Sequence, residues 1–258
     1  MAKFLDGLTP KLTVMIGKSS VDEVVTLIKK AIRQGAEAFC ILTEVLKPEE
    51  KGKDNIKRII DAMEGRYAYV TNYIRNNSQP ALTDDYQANQ LIDMVECGAN
   101  LIDIRTDMFC RSTDEVTRDF AAVRKQKELI SEIHSLGAEA LMSAHIFEYR
   151  SPQSILEIMQ LQQERGADIA KVVTVANSTK ESDDAFKTNF LLSDNLNIPY
   201  LFLCNGTHCK KHRALGPMLG LCMYLCLENS LTHGPQPTIE EAKMLREKMI
   251  LWGKNNEQ

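Results

Sequence analysis

The chain has 258 residues, 44% of them hydrophobic, and a formal net charge of −4. That length holds one large α/β domain with a sizeable core, and the near-even charge gives nucleic acid no electrostatic footing. The most apolar stretch, "LGLCMYLCL" (219–227), is too short to cross a bilayer, and no charged segment followed by an apolar run marks a secretory signal. Seven scattered cysteines read as reduced thiols, which places the protein in the cytoplasm.

In chain order, "KLTVMIG" (11–17) reads as a first strand. "SVDEVVTLIKKAIRQ" (20–34) follows as an amphipathic helix capped by Ser20. A phrase then recurs as "QGAEAFCI" (34–41), "CGANLIDI" (97–104), "LGAEALMS" (136–143) and "RGADIAKV" (165–172). In each, a Gly-Ala turn follows a helix-period stretch and leads into a short apolar run. The glycine suits the left-handed position that closes a helix. Further strands read at "YAYVTNYI" (67–74), "IPYLFLCN" (198–205) and "GLCMYLCL" (220–227), and a Ser151-capped helix at "SPQSILEIMQLQQER" (151–165). Eight βα units over about 250 residues predict a (β/α)8 TIM barrel, one domain spanning 1–258. Neither a G-x-G-x-x-G after the first strand nor a Walker A sequence occurs, which argues against nucleotide binding.

"GADIAKVVTV" (166–175) places Lys171 among Ala, Ile and Val in a strand. Burying an unpaired ammonium costs several kcal/mol or more, so the residue needs a reason. Alternation puts Lys171 on one face with Val173 and Val175. The preceding strand aligns Leu141, Ser143, His145 and Phe147, with His145 at the carboxyl end, where barrel enzymes carry their sites. Strands about 4.8 Å apart let Lys171 and His145 converge. A desolvated lysine amine attacks ketones, the iminium acidifies the neighbouring C–H, and a nearby histidine removes that proton. The bland reading is a snorkelling lysine paired with a carboxylate beside a satisfied core histidine.

These segments resemble the type I 3-dehydroquinate dehydratases, the Schiff-base dehydroquinases, most strongly from about residue 136 onward. "LMSAHIFEYRSP" is similar to the family's Met-Ser-Tyr-His-Asp-Phe-Glu-x-Thr-Pro segment, which implies that His145 is the catalytic histidine. "GADIAKVVTVANSTKE" resembles the segment bearing the Schiff-base lysine, here Lys171. "IPYLFLCNGTHCKKHR" resembles the segment that leads to the carboxylate-binding arginine, here Arg213. "THGPQPTIEE" resembles the loop whose Ser and Gln bind substrate, here Thr232 and Gln236.

The first half departs from the family. Its Glu-x-Arg on the second strand corresponds to Cys40 and Leu42. Its third-strand Arg, and the Glu that supports the catalytic histidine, correspond to Tyr73 and Asn77. An Asn supplies no charge to stabilise an imidazolium. "DIRTD" (103–107) aligns Asp103, Arg105 and Asp107 on one face, with Arg105 where the family has an acidic residue, and Arg75 lies near Tyr73. These polar groups compensate in the pocket or form rim salt bridges. Tyr73, Asn77 and Arg105 are therefore candidate substrate-binding residues.

Cys204, His208, Cys209 and His212 cluster, but their spacing fits no common zinc pattern, and no metal or other cofactor is expected. His208, His212 and His233 are alternatively pocket-lining. The resemblance implies a lyase that dehydrates a small 3-keto carboxylate, as 3-dehydroquinate is converted to 3-dehydroshikimate, and a homodimer. The altered strands imply a changed substrate. Two other readings are a class I aldolase-like carbon–carbon lyase using the same lysine, and a catalytically inactive metabolite-binding barrel. No nucleic-acid or membrane partner is expected.

Overall fold

The computed structural model describes Phe4 and residues 9–74, 83–229 and 234–255. Strands and helices alternate throughout: β1 (Lys11–Ile16), α1 (Val21–Gln34), β2 (Ala38–Leu42), α2 (Lys53–Asp61), β3 (Tyr67–Thr71), α3 (Asp84–Glu96), β4 (Leu101–Arg105) and α4 (Phe120–Ser135). The second half continues with β5 (Glu139–His145), α5 (Pro152–Glu164), β6 (Ile169–Val175), α6 (Thr179–Asn195), β7 (Tyr200–Asn205), α7 (Lys210–Leu215), β8 (Met223–Cys226) and α8 (Ile239–Asn255). The strands pair in parallel in the order β7-β6-β5-β4-β3-β2-β1-β8. A bridge between Tyr200 and Leu221, and the Cys222 amide donating to the Tyr200 carbonyl at 2.9 Å, nearly close the ring. The fold is a (β/α)8 TIM barrel.

The recurring Gly-Ala phrase is the joint that builds it. Gly35, Gly98, Gly137 and Gly166 all have φ between 87° and 107°. At the first joint the Gly35 amide donates to the Ile32 carbonyl and the Ala36 amide to the Ala31 carbonyl, each at 3.0 Å. That pair satisfies the last carbonyls of α1 and turns the chain straight into β2. Ser20 and Ser151 cap their helices as expected, accepting from the amides of Glu23 and Ser154.

Alternation divides the core. Ala38, Cys40, Tyr69, Leu101, Leu141, Ile169, Leu201 and Met223 form the inner cluster. Phe39, Ile41, Val70, Ile102 and Met142 pack outward against Ile28, Ile59, Leu91 and Ile133 of the helices. Each such fully buried aliphatic side chain contributes roughly 1.5–3 kcal/mol. Among the described residues no helix is long and apolar enough to cross a membrane.

The strands end earlier than the apolar runs. β3 stops at Thr71, β4 at Arg105 and β5 at His145, so Tyr73, Asp107 and Phe147 lie beyond them. The expected alignment of Asp107 with Arg105, and of Phe147 with His145, is therefore corrected. After β4 the chain turns, with the Met108 amide donating to the Arg105 carbonyl, and Phe147 is 79% exposed.

Gly206, just past β7, has φ 96°, and a Cβ there would lie 2.7 Å from the Ala176 carbonyl oxygen. Gly206→Ala is expected to cost about 2 kcal/mol, read as a lower urea midpoint with an unchanged m-value.

Candidate active site

Lys171 lies on β6 opposite Ser143 of β5 and Leu201 of β7. Its Nζ donates to Asp103 Oδ2 on β4 and to the Tyr69 hydroxyl oxygen on β3, each at 3.0 Å. Tyr69 in turn donates to Asp103 Oδ2, and the Ser143 hydroxyl to Asp103 Oδ1 at 2.5 Å. All four side chains are buried. Burial raises the Asp103 carboxyl, but Lys171, His145, Ser143 and Tyr69 together outweigh it and hold its pKa below the ordinary value. Burial, with Asp103 adding to it, pushes the Tyr69 phenol far up, so it stays protonated and keeps donating.

His145 ends β5 at the level of Val173, one alternation above Lys171. Beside it lies Glu115, from the loop between β4 and α4. Glu115 Oε2 accepts the His145 backbone N–H at 2.6 Å and stands 3.6 Å from ring Nδ1. The Tyr73 hydroxyl donates to Glu115 Oε1, and the Tyr73 ring meets the imidazole edge-on with centroids 4.7 Å apart. Tyr73 is thus brought to the site by the catalytic-histidine candidate and not by the barrel wall. Above β2, Glu44 accepts from the Thr71 hydroxyl and the Tyr73 amide, and burial pushes its carboxyl up.

The other expected residues are distributed unevenly. Arg213 is buried on α7, its Nε donating to the Cys204 carbonyl at 2.6 Å and its Nη2 to Asn205 Oδ1 at 2.8 Å, at the carboxyl end of β7. Its buried Nη1 has no partner among the described residues, a donor that an anion satisfies. Burial lowers its pKa to about 10, which leaves it cationic at neutral pH. Gln236 Nε2 reaches 3.4 Å from Met15 Sδ on β1. Gln236 also borders a cavity of about 390 Å³ between α7 and α8 that includes neither Lys171 nor His145. Arg105 turns to the rim, where Asp84 Oδ1 (2.7 Å), Asp107 Oδ1 (3.1 Å) and Gln87 Oε1 (3.3 Å) take its guanidinium. Of its two expected roles, the structure displays the rim salt bridge. Thr232 and Asn77, with Arg75 and His233, lie outside the described residues.

Cys40 and Leu42 give the β2 side of the interior no charge, and burial pushes the Cys40 thiol up, so it stays neutral. His212 is fully buried between Phe186 and Phe202, at centroid distances of 5.5 and 5.1 Å, and packs as core. Among the described residues no group of three or more His, Cys, Asp or Glu is placed to hold a metal ion.

The profile of the type I 3-dehydroquinase family matches residues 13–249. The chain belongs to that family. A curated relative, the 3-dehydroquinate dehydratase of Pyrococcus abyssi, is 28% identical over 123 residues, 47% of this chain and 54% of the relative. The chain thus aligns with about half the length of that relative. Among solved structures, the 3-dehydroquinate dehydratase of Geobacillus kaustophilus superposes with a TM-score of 0.81 at 14% identity, covering 96% of this chain and 94% of that one. The type I 3-dehydroquinate dehydratase of Clostridium difficile gives 0.79 at 14%, covering 95% and 94%. At that identity these two structures speak for the fold.

Three residues around the site go unremarked in a reading of the sequence alone. Glu115 sits in "CRSTDEVTRD" with no periodicity to mark it. Tyr69 was accessible, because it alternates onto the same face as Tyr73. Gln162 carried a signal too, as a polar residue at helical spacing from Ile155 and Met159. Its buried carboxamide accepts the Lys171 N–H and donates to the Lys171 carbonyl, both at 3.0 Å, and also donates to Thr106 Oγ1 at 2.8 Å.

Asp103→Asn leaves the Lys171 ammonium buried without its anion and is expected to cost about 3 kcal/mol, measured by urea unfolding. The buried His212 has its pKa lowered by desolvation to about 3, against 6.5 ordinarily. Between those values the unfolded chain binds the extra proton, so stability is full above pH 6.5 and falls toward pH 3, by about 1.4 kcal/mol per unit within the window. His212→Leu is expected to flatten that slope in unfolding curves measured from pH 7 to 4.

Proposed function

We propose that this protein is a Schiff-base dehydratase that eliminates water from a 3-keto carboxylate. The observation that carries the reading is a buried lysine with a carboxylate in contact, Lys171 with Asp103, one alternation below a histidine on the adjacent strand. Family membership supports the same chemistry.

The attacking species is the neutral amine, so one proton must leave the Lys171, Asp103 and Tyr69 cluster before addition. Lys171 Nζ then adds to the ketone, and loss of water from the carbinolamine gives an iminium. The iminium carries the same single positive charge as the ammonium it replaces, so Asp103 serves as counter-ion to both. His145 removes a proton from the carbon next to the iminium, giving an enamine. Its electron pair expels the β-hydroxyl, which leaves as water with the proton returned by His145. Water hydrolyses the conjugated iminium and frees Lys171. The substrate carboxylate is assigned to the unsatisfied Nη1 of Arg213, with Gln236 and Thr232 as further contacts.

The apolar β2 side favours a substrate whose other half differs from that of 3-dehydroquinate. The same iminium serves carbon–carbon cleavage, and product analysis separates the two reactions. On the strength of the family we also place the protein in the cytoplasm as a homodimer.

Borohydride trapping tests the reading. The protein is incubated with 3-dehydroquinate and with 3-keto acids that keep the β-hydroxyl but lack its other ring hydroxyls, reduced, and analysed by peptide mass spectrometry with Lys171→Ala as control. A Lys171 adduct of the dehydrated mass is expected for at least one of these acids. An adduct retaining the water, or none with any acid, would overturn the dehydratase reading.

A further inference from the structure

Glu115 is 1% exposed, and its residue adopts φ 56°, a conformation that side chains bearing a Cβ rarely take. A carboxylate at that depth is held only by donors and nearby positive charge. Among the described residues its donors include the His145 backbone N–H and the Tyr73 hydroxyl, and the imidazole Nδ1 at 3.6 Å offers the charge when protonated. The loop that delivers Glu115 runs from Thr106 to Asp119 and is fixed from two sides. On the rim, Arg105 ties Asp84 to Asp107. Asp84 Oδ2 accepts the amide of Phe109 (φ 72°) at 2.7 Å, and Asp107 Oδ2 accepts the amide of Ser112 at 3.0 Å. On the inner side, buried Arg165 donates to the carbonyls of Thr106 and Thr117, and buried Gln126 to those of Thr106 and Met108.

We propose that Glu115 is the positioning residue for His145, orienting its ring and balancing its charge, and that the Arg105–Asp84 clamp holds it there. This rests on the reading of His145 as the proton-transfer group. The strain of two left-handed residues in one loop is then spent on placing a single carboxylate. Arg105, which shares the face of Asp103 along β4, contributes through the loop and not through the pocket.

Among the described residues, the charged and titratable groups brought to His145 include Glu115 from this loop, Tyr73 after β3 and Asp103 from β4, with Lys171 of β6 on the far side of Asp103. Glu115 is the one that can be neutralised without disturbing the lysine pair. The test follows the His145 ring through pH by NMR of the full chain with labelled histidine, assigned with His145→Gln. Glu115→Gln is expected to lower the His145 titration by about one pH unit, with the other histidines unmoved. Glu115→Asp, which restores the charge on a shorter arm, is expected to recover part of the shift. Asp84→Asn is expected to move His145 in the same direction by less, and to speed amide exchange between Phe109 and Glu115. For a keto acid trapped at Lys171, the acid limb of kcat/KM should fall with the titration in Glu115→Gln.

An unchanged His145 titration in both Glu115→Gln and Asp84→Asn would overturn the proposal. Because the titration needs no substrate, it stands even if no keto acid is trapped at Lys171, which would count against the dehydratase reading alone. If Glu115→Gln does not fold, Asp84→Asn supplies the decisive shift.

Discussion

An ammonium inside a β-barrel is tolerated only with an anion in contact, and the anion must itself be kept charged. Asp103 meets both requirements. It accepts from Lys171, Tyr69 and Ser143, which belong to β6, β3 and β5, so one carboxylate ties together four of the eight strands. The pair repays its desolvation only through that geometry, since contact and additional donors decide whether a buried ion pair is sustained. Every other feature of the site is arranged around it. Tyr69 is held as a phenol by the burial that surrounds the pair, and His145 lies near enough to act on the charge of Asp103.

A second layer of polar groups, behind the strands, fixes the backbone on which the pair is mounted. Gln162 on α5 engages both backbone groups of Lys171 and the hydroxyl of Thr106, where the Glu115 loop begins. Arg165, one turn on, holds the Thr106 and Thr117 carbonyls, near the two ends of that loop. The lysine and the carboxylate beside the histidine are therefore set by the same pair of helical side chains. Mounting reacting groups on a shared rigid frame keeps their separation fixed without a large enclosing surface.

How much of this the sequence disclosed follows from which interactions are local. The Gly-Ala joints and the Ser caps are decided within five or six residues, and they stood in the sequence where the structure has them. The placement of Lys171 and His145 followed from alternation along adjacent strands. Resemblance to a family added Arg213, whose buried Nη1 has no partner among the described residues. What escaped depends on contacts far apart in the chain. Asn77 lies outside the described residues, and Glu115 brings a carboxylate beside the histidine from a loop that follows β4. Arg105, a candidate for binding substrate, meets acceptors Asp84 and Gln87 that come from α3. Neither fact is encoded in a period or a motif; both need the loops folded against one another.

The interior is consequently divided by chemistry. The wall from β3 to β6 carries Tyr69, Asp103, Ser143, His145 and Lys171, while β1 and β2 present Met15, Cys40 and Leu42. A ligand hydroxyl turned toward the second wall would give up water without gaining a partner, at about 1–3 kcal/mol for each such group. An apolar edge meets no such cost. Glu44 stands above this wall, its carboxyl pushed up by burial while it accepts from the Thr71 hydroxyl and the Tyr73 amide. The reacting half of a bound molecule thus faces charges that the fold has already paired. The opposite half faces the apolar Met15, Cys40 and Leu42, with Gln236 and Glu44 at their edge. The chemistry proposed for Lys171 and the apolar β2 side thus occupy different strands of one barrel.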